Sequence, residues 1–97
     1  MREAEEKGVP FYVNVWPDDV HTPMFPSVKR WSNDVHERYV AVLEEMDAQF
    51  KPLFDYVRSN SALSDNTIVV IASDNGPDPN CGSAGPFKGF KGTLYEG

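Results

Sequence analysis

Asp74 and Asn75 stand side by side in Ser73-Asp74-Asn75-Gly76-Pro77, directly after a run of apolar residues. A carboxylate next to an amide carbonyl offers two oxygen donors of the kind hard divalent cations such as Ca²⁺ or Mg²⁺ prefer. Asp, Asn and Gly are also common turn formers, so a plain turn accounts for the same spacing. His21, in Val20-His21-Thr22-Pro23, supplies an imidazole able to donate a proton or contact an anion, although a lone loop histidine is often only solvated. Lys88 and Lys91 lie in Phe87-Lys88-Gly89-Phe90-Lys91-Gly92, where glycines let backbone approach a ligand and an ammonium can meet an anionic group. Asp18 and Asp19 precede His21 and read most simply as a solvated acidic pair. His36 and Asp47 fall within a helical pattern and read as surface and structural residues. Cys81 sits in a Gly-rich loop with no candidate base beside it in sequence, which argues against a nucleophile.

Two apolar runs and one amphipathic stretch must position these groups. Phe11-Tyr12-Val13-Asn14-Val15-Trp16, bounded by prolines, predicts a strand over about residues 11–16. Prolines 17, 23 and 26 make the following stretch a loop. Val35, Tyr39, Val42, Leu43, Met46, Phe50, Leu53, Phe54 and Val57 recur at helical steps, which predicts a helix over about 34–59. Asp34 is its expected N-cap, Glu37 completes a capping-box pattern, and Pro52 predicts a kink or break near 48–52. Thr67-Ile68-Val69-Val70-Ile71-Ala72 is apolar without alternation, as a central parallel strand buried on both faces would be. The Gly- and Pro-rich residues 73–97 read as one long loop. Strand, loop, helix, strand is the order of a βαβ unit, and the expectation is an α/β fold with ligands beyond the carboxyl ends of its parallel strands.

Composition narrows the class. With 97 residues, 40% of them hydrophobic, the chain is in the globular range. A net charge of -6 argues against nucleic-acid binding, which needs clustered Lys and Arg. The single cysteine provides neither an internal disulfide nor a Cys-rich zinc site. Residues 1–8 are too charged for a signal peptide, and no segment is apolar over the roughly 20 residues a membrane span requires.

Taken together, Val15-Trp16-Pro17-Asp18-Asp19-Val20-His21-Thr22-Pro23, the helical Tyr39 to Asp47, Asn66-Thr67 through Gly76-Pro77, and Lys88-Gly89-Phe90-Lys91-Gly92-Thr93-Leu94-Tyr95-Glu96-Gly97 resemble the sulfatases in order and spacing. The resemblance implies an alkaline-phosphatase-like three-layer sandwich, of which this chain would be a partial, internal βαβ unit. It also implies hydrolysis of sulfate esters of small molecules or sugars, in a periplasmic or secreted enzyme. Asp74 and Asn75 match the family's second pair of metal ligands, usually for Ca²⁺, with Mg²⁺ the alternative. His21 matches the histidine that contacts the sulfate ester, and Lys91 the lysine that binds a sulfate oxygen.

The departures are equally definite. The family's formylglycine arises in a Cys/Ser-x-Pro-x-Arg motif, whereas Cys81 is followed by Gly82-Ser83-Ala84-Gly85. The formylglycine is therefore expected outside this segment, and the isolated chain is expected to be inactive. A phosphoryl or phosphonate ester hydrolase of the same superfamily is the alternative reading. Bare strand edges would also make the isolated chain self-associate as a non-catalytic unit.

Overall fold

Asp34 starts the dominant element of the chain. In the computed structural model, which describes residues 1–95, its Oδ1 accepts hydrogen bonds from the backbone N–H groups of His36 (2.7 Å) and Glu37 (3.2 Å). Two otherwise unsatisfied donors of the first helical turn are thereby paired. Ser32 closes the cap from outside the helix: its hydroxyl accepts from Asp34 N–H at 3.1 Å and donates to the Glu37 carboxylate. From this cap the helix runs unbroken over Val35–Ser59, through Pro52. A five-residue helix, α1 (Arg2–Glu6), precedes it, and the long helix is α2. A short 3₁₀ turn occupies Val28–Arg30.

Polar ties hold the rest of the chain against α2. Glu5 on α1 accepts from Tyr56 Oη at 2.6 Å and from the Asn60 side-chain amide, fastening α1 to the carboxyl end of α2. Ser27 donates to Glu45 through its hydroxyl (2.6 Å) and its N–H (3.0 Å), Arg30 pairs with Glu44, and Arg38 donates to Ser32 O at 2.6 Å. Residues 27–32 are thus pinned along the amino-terminal half of α2.

A small apolar cluster completes this side. Met24, Val42 and Cys81 are buried together, and Val20, Val35 and Tyr39 pack on them. Three separate parts of the sequence meet here: the loop carrying His21, the first turns of α2, and the loop that follows Asp74.

The expected βαβ unit, and with it the parallel-strand sandwich, is not present. Among the described residues there is no strand; 11–16 and 67–72 are irregular and carry no ladder. Ile68, Val70 and Ile71 are 80–92% exposed, where a central strand would bury them. The physical reason lies in what a strand needs. Unlike a helix, which pairs its backbone internally, a strand depends on lateral partners, and an isolated pair of strands is marginal. Apolar, β-branched composition therefore expresses a demand for neighbours that these residues do not meet within the chain.

Candidate functional site

The turn containing His21 is shaped by an unusual backbone. Val20 has φ of 63°, a left-handed conformation that a β-branched residue adopts only under constraint. Its side chain packs on the Met24–Val42–Cys81 cluster, which supplies that constraint. The next residue, His21, is projected into solvent on the wall of an open cleft of about 280 Å³, shared with Asp18, Asp19, Thr22 and Phe25.

Lys91 arrives from far along the chain. Gly89 (φ 109°) and Gly92 (φ 91°) flank it, both in conformations that side chains disfavour, and the Lys91 N–H donates to Pro77 O at 2.9 Å. Its ammonium donates to His21 Nε2 at 3.3 Å across 70 residues of sequence. On the other side of the ring, Nδ1 lies 2.8 Å from Thr22 O. Because a carbonyl only accepts, Nδ1 carries the proton and Nε2 presents its lone pair. His21 and Lys91, singled out separately in the sequence, thus form one pair.

Asp74 and Asn75 are exposed. The Asn75 amide nitrogen donates to Gly76 O at 3.1 Å, leaving its carbonyl oxygen as the atom suited to a cation. Asn75 lines a different open cleft, of about 440 Å³, with Ser73, Pro77, Phe87 and Tyr95. Pro77 joins the two regions, since it lines this cleft while its carbonyl holds Lys91. The Lys88 ammonium lies 4.1 Å from the Tyr95 ring centroid. The carboxylate and amide suit a hard cation, but they are two donors where about six to eight are usual. No group of three or more His, Cys, Asp and Glu side chains positioned for a metal occurs among the described residues. The Glu96-Gly97 end of the lysine motif lies outside those residues.

Sequence reasoning passed over Asp78 and Thr22. Thr22 Oγ1 donates to Asp78 Oδ2 at 3.0 Å, joining the His21 turn to the loop that carries Lys91. Hydrogen bonds hold the Asp78 carboxyl below its ordinary range, the Asn80 N–H first, with the charge of Lys91 adding to the effect. Nothing local marks Asp78 among the turn formers around it. His36, read as a surface residue, also takes part: its Nδ1 donates to Cys81 O at 2.8 Å and anchors this loop to α2. The Cys81 thiol is buried, and burial, followed by the Asp78 charge, pushes its pKa up. This opposes thiolate chemistry.

A sequence model of the sulfatase family matches residues 3–97. The chain belongs to the sulfatase family. It is 28% identical over 95 residues to mouse arylsulfatase J, covering 91% of this chain and 16% of that protein. It is also 28% identical over 101 residues to human arylsulfatase A, covering 100% of this chain and 20% of that protein. This sulfatase chain therefore spans a fifth or less of the length of the two curated relatives. No solved structure gives a significant match. No helix among the described residues of this sulfatase chain is long and apolar enough to cross a membrane.

Proposed function

We propose that this chain supplies the sulfate-binding part of a sulfatase that hydrolyses sulfuric esters. The observation carrying the reading is the Lys91–His21 pair, 3.3 Å apart, in a chain of the sulfatase family. A sulfate monoester is an anion, and hydrolysis moves further charge onto the oxygens of the transferring group and onto the leaving oxygen. A fixed ammonium stabilises the former, while an imidazole beside it exchanges a proton with the latter. Asp74 and Asn75 furnish part of a Ca²⁺ or Mg²⁺ site, whose ion would polarise the sulfate and assist the nucleophile. The remaining ligands and the formylglycine come from outside this segment, so the chain by itself is inactive. The substrate class is an aryl sulfate or a sulfated sugar; two relatives are named as arylsulfatases, and this supports the first.

The test is to assay the intact protein against p-nitrophenyl sulfate, a sulfated sugar and p-nitrophenyl phosphate, with and without chelator. Chelator-sensitive sulfate hydrolysis is expected. Preferred phosphate hydrolysis would replace the reading with the phosphoryl-transfer alternative, and no hydrolysis of any of the three would remove it. Family membership also supports a periplasmic or secreted protein; finding it only in the cytosolic fraction of its cell would overturn that.

A further inference from the structure

We propose that Asp78 is a positioning residue: through Thr22 it fixes His21 against Lys91. The inference deepens the sulfatase reading and rests on it for the identity of the anion. His21 and Lys91 are both exposed, so packing of their own side chains does not hold them together. Their separation must be set by the loops that carry them, and Asp78 is where those loops are tied.

One carboxylate oxygen serves each side of the tie. Oδ1 of Asp78 accepts from Asn80 N–H (2.8 Å) and Asn80 Nδ2 (2.9 Å), while its backbone carbonyl accepts from Gly82 N–H (2.8 Å) and Cys81 N–H (3.2 Å). These bonds make a tight reversal over 78–82. A Cβ on Gly82 would lie only 2.6 Å from Pro77 Cβ, so the reversal closes directly onto the residue whose carbonyl holds Lys91 N–H. Oδ2 is left for the other loop and accepts from Thr22 Oγ1 at 3.0 Å, bridging 56 residues.

Thr22 then relays the constraint to the imidazole. Its carbonyl accepts from His21 Nδ1 at 2.8 Å, so the residue gripped by Asp78 also sets the tilt and tautomer of the ring. The resulting chain is Lys91 backbone, Pro77, Asp78, Thr22, His21, and it returns to the Lys91 ammonium. Such preorganisation raises anion affinity by lowering the cost of ordering two loops when the ligand binds.

Thr22→Val separates this role from a merely structural one, because it removes the tie and leaves the Asp78 reversal intact. In the intact protein, inorganic sulfate binding is followed through the His21 ring NMR signals, and p-nitrophenyl sulfate kinetics are measured in parallel. Thr22→Val is expected to weaken sulfate binding about tenfold, the loss of one charge-assisted hydrogen bond. Thr22→Ser should restore it, and Thr22→Val combined with Asp78→Ala should bind no worse than Asp78→Ala alone. Unchanged α2 circular dichroism and Cys81 protection establish that a variant is folded; should Asp78→Ala fail to fold, the Thr22 pair decides alone.

Wild-type sulfate affinity in folded Thr22→Val, or multiplicative effects of the two substitutions, would overturn the proposal. If the wild-type protein neither binds sulfate nor cleaves its esters, the sulfatase reading fails instead. The positioning claim is then read from the through-space contact between Lys91 and His21, which must vanish in Thr22→Val and persist in Thr22→Ser. Persistence of that contact in Thr22→Val would overturn it.

Discussion

His21 presents Nε2 to the Lys91 ammonium because its Nδ1 proton is already committed to Thr22 O. A ring held in this way accepts or passes a proton at one atom only, and a sulfate oxygen brought to Lys91 would be brought to that atom as well. Lys91→Ala and His21→Ala in the intact protein are each expected to lower kcat/KM on p-nitrophenyl sulfate by roughly 10²–10³, as loss of a preorganised charge-stabilising group does. A drop of less than threefold in either would remove that residue from the site. The Asp74–Asn75 pair calls for a different measurement, since two oxygen donors make only part of a cation shell. Calorimetry of the 97-residue chain with Ca²⁺ should show weak binding at most; tight one-to-one binding would mean that ligands beyond these two lie within the chain.

Helix α2 follows from features written along its own length. Its apolar residues recur every three or four positions, Asp34 stands at its start, and an α-helix pairs its backbone internally, so local information is sufficient. Asp34 also makes the helix sensitive to acid. The N–H groups of Glu37 and His36 hold its carboxyl below the ordinary value of 3.8, so the cap stabilises the folded chain above that pH and its contribution is lost as pH falls through the lowered value. Glu5 and Glu45, whose carboxyls are lowered by side-chain hydrogen bonds from Tyr56 and Ser27 respectively, act in the same direction. Helical circular dichroism should therefore fall below about pH 4. Asp34→Asn, which keeps an oxygen acceptor at the cap, should flatten part of that dependence, and an unchanged profile would show that the cap is not titrating. Within α2, Val42 is 6% exposed in the cluster that joins both loops. Val42→Ala should cost about 2 kcal/mol in urea unfolding, through lost burial and the cavity left behind. It should also loosen the Lys91–His21 contact.

The whole chain is extended for its length. Its radius of gyration is 16.9 Å, against about 13 Å for a compact domain of about 100 residues. Among the described residues six hydrophobic side chains form the buried core, while Tyr12, Trp16, Ile68, Val70 and Ile71 are each at least 80% exposed. Apolar surface of this extent marks a place of association. The isolated chain should therefore scatter light as a species larger than a monomer at micromolar concentration. Ile68→Lys combined with Val70→Lys should shift it toward the monomer; a monomeric wild-type chain with cooperative unfolding would contradict the expectation.

Residue chemistry and α2 were legible in the sequence because each depends on neighbours close along the chain: a cap and an apolar period for the helix, an oxygen pair at 74–75, and a lysine between glycines. The family is legible there too, since it rests on the order of such motifs. The sheet was misread for the converse reason, because the β-forming runs at 11–16 and 67–72 state a preference that only lateral partners can satisfy. The meeting of His21 with Lys91, and the tie between Thr22 and Asp78, belong to tertiary structure alone. They join residues 70 and 56 positions apart through loops whose course is set by packing on α2, and no local pattern encodes a contact of that range.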